Sequence, residues 1–163
     1  MATLGCNVDH QNEMIWHMLS LVPEYRNFDD VGKRTVLKLM EIGFIECSSV
    51  LERAFAGLLG VSVESISGAD LSNGHEVKGA VVQTYVQLKK YIRWHAEFIV
   101  KNKTGDIWAL IYHRELKKFM YAHIPAGCYP VKNLKISFSE EGAPTGKYAK
   151  YVYNTIPDLL ASR

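Results

Sequence analysis

Cysteine is scarce in this sequence, and long apolar segments are absent. The 163 residues hold three cysteines, Cys6, Cys47 and Cys128, which lie far apart without the spacing of metal ligands. An odd number of separated cysteines favours reduced thiols over a disulfide framework. No apolar run approaches the roughly 20 residues that a membrane helix needs, and residues 1–6 lack the features of a secretory signal. We therefore expect a cytoplasmic protein that does not enter a membrane.

Charge is small in total but uneven along the chain. The sequence is 48% hydrophobic and 22% charged, a composition that excludes a disordered chain. Residues 1–77 hold 5 basic and 11 acidic residues, a net charge of −6, whereas residues 78–163 hold 14 and 6, a net charge of +8. Such a basic half is typical of a protein that meets a polyanion, although solvated faces can also differ in charge by accident.

Apolar spacing in the first third of the chain is typical of helices. The predicted helices lie at 11–21, 29–43 and 49–60. Asp29 or Asp30 can cap the second helix. Ser49 and Glu52 have the spacing of a capping box at the start of the third helix.

After residue 60 the pattern changes to that of strands. The predicted strands lie at 61–71, 75–82, 94–100, 107–113 and 116–124, while residues 81–93 fit either strand or helix. No linker divides the chain, so we expect one domain over 1–163. The predicted class is α+β, with a helical region at 1–60, a mixed β-sheet at 61–125 and a C-terminal segment at 126–163.

The residues that point most directly to a chemistry lie between Gly68 and Lys78. Asp70 and Glu76 flank the turn residues 72–74, and Lys78 follows Glu76 by two positions. Two carboxylates can hold Mg²⁺ beside a phosphodiester, and the Val77 carbonyl can help to bind the ion. A nearby lysine can orient the attacking water and offset charge that develops on the phosphate.

The register of this hairpin decides whether the two acids meet. A two-residue loop at Asn73-Gly74 would put Asp70 and Glu76 on opposite faces. A three-residue loop over 72–74, with Gly74 in the left-handed region, places Asp70 directly opposite Glu76. We predict the three-residue loop, with Lys78 on the same face as Glu76 because strand side chains alternate.

The sequence Gly68-Ala69-Asp70 followed by Glu76-Val77-Lys78 resembles the active site of the PD-(D/E)XK nuclease superfamily, and type II restriction endonucleases in particular. The resemblance implies a restriction-endonuclease-like sheet topology, Mg²⁺ as cofactor with Mn²⁺ as a substitute, and double-stranded DNA as substrate. It also implies that Asp70 and Glu76 bind the metal and that Lys78 serves the water. Many members add a helix glutamate, for which Glu52 is the best-placed match.

Two observations compete with this interpretation. The acid-x-Lys spacing recurs at Glu115 and Lys117, with Asp106 upstream, so the triplet by itself is weakly specific. Glu115 falls where the chain is expected to turn, which favours the first site. Glu52 can equally be a plain capping-box partner of Ser49.

Two basic stretches are candidate DNA contacts. The first contains Lys89, Lys90 and Arg93, and the second contains Lys147, Tyr148 and Lys150 after a glycine-rich loop at 142–146. Basic side chains supply phosphate affinity, and tyrosines can stack on bases.

The hypothesis is a Mg²⁺-dependent endonuclease of double-stranded DNA, sequence-specific and restriction-type, that works as a homodimer because both strands of a palindrome must be cut. The N-terminal helices are the expected dimer contact. The alternatives are a structure-selective resolvase, a homing or repair nuclease of the same fold, and a DNA-binding module without catalysis.

Overall fold

The chain divides into two compact units, Met1–Gly79 and Ala80–Arg163. The computed structural model describes residues 8–22, 25–41, 47–63, 68–87 and 91–163. Among these residues no helix has the length and apolar character needed to cross a membrane. The mixture of helices and sheets confirms the predicted α+β class, and the single domain stays a prediction.

The first unit is built on three helices, as the sequence predicts. They are α1 (Val8–Leu19), α2 (Asp30–Glu41) and α3 (Cys47–Leu59). The Asp29 carboxylate accepts a hydrogen bond of 2.8 Å from the Gly32 N–H, so Asp29 rather than Asp30 is the N-cap of α2. Helix α1 packs against α3, and Met14, Met18 and Phe55 are fully buried in the unit.

The capping box predicted for α3 is wrong. The helix begins at Cys47, so Ser49 already lies inside its first turn and cannot be the N-cap. A capping box with Ser49 therefore does not account for Glu52. The serine-to-glutamate spacing is local, whereas the start of a helix also depends on what its first turn packs against.

The strand predicted at 61–71 is also wrong where it can be compared, at 61–63 and 68–71, since residues 64–67 lie outside the described part of the chain. Val63 pairs antiparallel with Leu71 in an isolated bridge, so the chain reverses between them. The Ser72 N–H donates to the Ser62 carbonyl at 2.8 Å, which supports the reversal. Gly68 has a φ of +83°, in the left-handed region that an extended strand does not enter. Alternating apolar residues predicted extended backbone but not this internal pairing.

Among the described residues, eight strands follow the three helices. They are β1 (Glu76–Val81), β2 (Gln83–Gln87), β3 (Tyr91–Ile99), β4 (Ile107–His113), β5 (Lys118–Ile124), β6 (Asn133–Phe138), β7 (Pro144–Thr145) and β8 (Val152–Tyr153). A 3₁₀ turn at Ala149–Tyr151 and helix α4 (Ile156–Ala161) complete the chain. Strand β1 begins in the first unit and ends in the second, and the ambiguous 81–93 segment contributes β2 and the start of β3.

The strands form two four-stranded sheets rather than the one mixed sheet that was predicted. Their orders are β1-β4-β5-β8 and β2-β3-β6-β7. The pairs β2/β3, β3/β6, β4/β5, β5/β8 and β6/β7 are all antiparallel. The tight connection at 101–105 therefore carries the chain from β3 in one sheet to β4 in the other. Apolar pattern alone does not tell which strands pair, because pairing is a long-range choice.

Strands β4 and β6 of the second unit differ in how their residues are buried. All seven residues of β4 are buried, which is expected of a strand covered on both faces. Strand β6 alternates strictly between exposed and buried residues, so its sheet has one face in the core and one in solvent.

Candidate functional site

The hairpin that carries the predicted site has the expected three-residue loop. The Leu71 N–H donates to the His75 carbonyl at 3.1 Å, and the Gly74 N–H donates to the Leu71 carbonyl at 2.9 Å. Gly74 has a φ of +84°, as this loop requires. Because Leu71 and His75 are partners, Asp70 stands across from Glu76. The predicted register is confirmed, and the distance between the two carboxylates stays a prediction.

Asp70 is held by the backbone of β1. Its Oδ2 accepts a hydrogen bond of 2.9 Å from the Val77 N–H. In an antiparallel ladder this N–H would meet the carbonyl of the residue before Asp70, since hydrogen-bonded pairs alternate. The carboxylate takes that place, so the ladder stops after one pair. The same bond fixes the carboxylate beside the start of β1.

A cavity of about 230 Å³ opens next to this carboxylate, within the first unit. Its lining is formed by Ser48, Leu51, Glu52, Asp70, Val77, Lys78 and Gly79. Helix α3 supplies the first three residues, which share one face because they are spaced three and four apart. Strand β1 supplies the last three. The structure thus brings together three residues that the sequence singled out, Glu52, Asp70 and Lys78.

Glu76 was expected to share a face with Lys78, but it does not line the cavity that Lys78 lines. It is 3% exposed and stands outside the lining of the cavity, whereas Val77 and Lys78 both contribute to it. Burial along β1 does not alternate, since Glu76 and Val77 are both buried and Lys78 and Gly79 are both partly exposed. The simple two-residue period that paired Glu76 with Lys78 therefore does not describe the solvent exposure of this strand.

Ser48 and Gly79 are members of the site that the sequence did not single out. Ser48 is one helical turn before Glu52, and this i, i+4 relation was available once Glu52 was chosen. Gly79 directly follows Lys78 on β1. Neither residue belongs to the motif that drew attention to the hairpin.

The cavity lining suits a hard divalent cation. It offers two carboxylates and a hydroxyl, with no thiolate or imidazole, and such oxygen ligands are those that Mg²⁺ prefers. Within the described part of the chain no group of three or more acidic, histidine or cysteine side chains is gathered for a metal ion. Mg²⁺ commonly binds through one or two carboxylates and completes its shell with water and phosphate oxygens, so two carboxylates fit this ion.

The competing acid-x-Lys triplet lies in a turn. Residues 114–117 connect β4 to β5, and Glu115 forms an exposed ion pair of 3.3 Å with Arg114. Asp106 instead contacts His123 at 2.7 Å and accepts a hydrogen bond from the Ala126 N–H at 2.9 Å. The expectation that this triplet occupies a turn between strands is confirmed.

The candidate DNA contacts fall in the second unit. Lys147 and Lys150 are exposed, and each ammonium lies about 5 Å from the ring of the tyrosine that follows it. Tyr148 is only 8% exposed and belongs to the core of the unit, so its ring is not presented to solvent. The segment 142–146, predicted to be a loop, contains β7, which pairs with β6. Lys89, Lys90 and the side chain of Arg93 lie outside the described residues.

Comparison with known proteins identifies no relative. No protein-family model, no curated protein and no solved structure matches the chain.

Proposed function

We propose that this protein is a Mg²⁺-dependent endonuclease that hydrolyses phosphodiester bonds of double-stranded DNA. The observation that carries the proposal is the cavity in which Glu52, Asp70 and Lys78 meet. Carboxylates, a lysine and a hydroxyl around one opening are the groups that phosphodiester hydrolysis requires. The resemblance to restriction endonucleases rests on Asp70, Glu76 and Lys78, of which Asp70 and Lys78 line this cavity.

Each residue has a distinct part in the proposed reaction. A bound Mg²⁺ supplies charge neutralisation at the phosphate and a lowered pKa for its water. The Glu52 and Asp70 carboxylates would hold the ion, with Asp70 kept in place by the Val77 N–H. Lys78, which lines the same cavity, would orient the attacking water and stabilise negative charge on the phosphate oxygens. Glu76 stays the predicted further carboxylate of this group.

The substrate is proposed from charge and symmetry. The net charge of +8 over residues 78–163, with Lys147 and Lys150 exposed, suits the DNA backbone. Cutting both strands of a palindrome needs two active sites, so a homodimer is part of the proposal. The restriction-endonuclease-like topology and the sequence specificity belong to the proposal as well.

A DNA-binding module without catalysis is the second candidate. The observation in its favour is the hydrogen bond from the Val77 N–H to Asp70, which gives the aspartate a structural reason to be present. A module of this kind would bind DNA through the basic residues of the second unit and leave it intact.

Incubation of the full chain with supercoiled plasmid DNA and Mg²⁺ separates the two candidates. Discrete linear fragments support a sequence-specific dimeric nuclease, and nicked circles or a smear indicate cleavage without that specificity. Retarded but intact plasmid at protein excess supports the non-catalytic module. The variant Lys78→Met is the control for contaminating nuclease, since it removes the ammonium and keeps most of the side-chain volume.

A further inference from the structure

Three side chains of the second unit form a continuous hydrogen-bonded chain that the proposed nuclease does not use. His123 lies on β5, Asp106 directly precedes β4, and Ser162 caps the C-terminus of α4. The Nε2 atom of His123 is 2.7 Å from the Asp106 Oδ2. Its Nδ1 atom is 2.8 Å from the Ser162 Oγ. Residues separated by 17 and 39 positions thus meet at one imidazole.

The partners of this imidazole determine where its protons lie. An ionised carboxylate can only accept hydrogen bonds, so the Nε2 atom of His123 carries a proton toward Asp106. In the neutral ring Nδ1 therefore has its lone pair directed at the Ser162 hydroxyl. The other oxygen of Asp106 accepts from the Ala126 N–H at 2.9 Å, which fixes the plane of the carboxylate.

The imidazole ring of His123 is also held by a stacking contact on one face. Trp108 stacks on His123 with ring centroids 3.8 Å apart and an angle of 7° between the planes. Both rings are buried, with exposed fractions of 2% and 6%, whereas Ser162 is partly exposed. The imidazole is therefore preorganised, and it faces a serine that is partly exposed.

We propose that Ser162 is a nucleophile activated by His123 and Asp106, and that it accepts the acyl group of activated carboxylic esters. A serine paired with an imidazole whose far nitrogen is bound by a carboxylate is the arrangement that generates a serine nucleophile. The Ser162 Oγ forms a bond to the carbonyl carbon, and its proton moves to the His123 Nδ1. The bond from that carbon to the leaving oxygen breaks, and the proton then passes to the leaving oxygen. The products are an acyl ester on Ser162 and the free alcohol or phenol.

Backbone hydrogen bonds around Ser162 limit which esters can react with it. The Ser162 Oγ donates to the Leu159 carbonyl at 2.5 Å, so its single proton has to leave this bond before it can pass to the imidazole. The N–H groups of Ser162 and Arg163 donate to the carbonyls of Leu159 and Leu160, so they are not directed at an oxyanion. We therefore expect good leaving groups to react and the acyl ester to hydrolyse slowly.

The test uses the full chain and p-nitrophenyl acetate, with p-nitrophenolate release followed by absorbance and the acetylated residue located by peptide mass spectrometry. Ser20 is a matched internal control, because its Oγ donates to the His17 carbonyl at 2.6 Å in the same i to i−3 relation. We expect acetylation of Ser162 and none of Ser20. Equal labelling of the two serines, or labelling confined to lysine and cysteine, overturns the proposal.

Two variants test whether His123 and Asp106 activate Ser162 or whether Ser162 is acetylated only because it is exposed. His123→Gln should lower the Ser162 acetylation rate by about 10²-fold, the usual contribution of a general base. Asp106→Asn should lower it as well, by allowing the other tautomer. Circular dichroism establishes that each variant is folded. Wild-type acetylation of Ser162 in folded His123→Gln overturns the proposal.

Discussion

The Asp70 carboxylate accepts a hydrogen bond of 2.9 Å from the backbone N–H of Val77, so the proposed metal ligand is also the group that ends the hairpin ladder. One residue thereby joins the local fold to the proposed chemistry. A substitution at this position affects both unless it is chosen to separate them. Asn retains an oxygen that can accept from the Val77 N–H, whereas Ala does not.

Asp70→Asn should therefore abolish cleavage at little cost in stability, because it removes the charge that holds the metal and keeps the hydrogen bond. We expect a loss of at least about 10²-fold in the cleavage rate with DNA binding retained. Asp70→Ala should lose the same activity and about 1 kcal/mol of unfolding free energy besides. Glu115→Ala, in the exposed turn triplet, is the matched control and should cleave normally. Near wild-type cleavage by Asp70→Asn would exclude this site.

Glu52→Gln and Glu76→Ala test the two remaining carboxylates separately. Glu52 lines the cavity and Glu76 is buried outside its lining. We expect Glu52→Gln to raise the Mg²⁺ concentration needed for half-maximal cleavage. Alanine at Glu76 or at Lys78 should abolish cleavage while DNA binding remains. If Glu76→Ala retains the wild-type turnover number, the role assigned to Glu76 is wrong.

The identity of the metal provides a further prediction. Because the cavity offers oxygen ligands, Mg²⁺ or Mn²⁺ should support cleavage, and Ca²⁺ should support DNA binding without it. Plasmid assays with each ion after chelation and dialysis measure this directly. Undiminished cleavage in excess chelator would contradict a metal-dependent mechanism.

Gly74→Val should impair cleavage through the hairpin. The φ of +84° at this residue is disfavoured for any β-branched side chain, although a Cβ would meet no atom within 4 Å. We expect a cost of about 1–2 kcal/mol or a shift of the register that places Asp70. Gly127→Val is the control, since Gly127 has a φ of +79° and equally open surroundings in the second unit. Chemical denaturation and cleavage assays should show similar losses of stability but a loss of activity only at Gly74.

Lys147 and Lys150 test the proposed DNA contact. Replacing both by alanine should weaken binding and reduce the slope of log affinity against log salt by about one to two units, if both contact phosphates. Exposed Lys101 and Lys132 of the same unit form the matched control pair. If the slope is unchanged when Lys147 and Lys150 are replaced, the DNA contact should instead be sought at Lys89, Lys90 and Arg93.

Stability should fall in mild acid because of His113. Burial lowers the pKa of this imidazole, opposed by the nearby Glu115 carboxylate, so the unfolded chain binds a proton that the folded chain does not. The stabilisation is thus present above the ordinary histidine pKa of about 6.5 and is lost as the pH falls below it. Urea midpoints at about pH 7.5 and about pH 5.5, one unit on either side of that pKa, measure the effect. The difference should be smaller in His113→Gln, and an unchanged difference would exclude this histidine as its source.

Local chemistry in the sequence determined the features that depend on few neighbours. Asp29 caps α2 because its side chain reaches the third following N–H, and Gly74 takes a positive φ because the loop needs it. The strand at 107–113 was predicted with its observed bounds, since a run of β-branched and aromatic residues stays extended in any sheet.

Tertiary structure decided the features that depend on distant partners. The reversal between Val63 and Leu71, the division of the strands into two sheets and the burial of Glu76 all follow from which segments pack together. The same is true of the meeting of Asp106, His123 and Ser162, whose separations in sequence leave no periodic signal. Which distant segments pack together depends on the burial and hydrogen bonding of the whole chain. A short stretch of neighbouring residues does not carry that information.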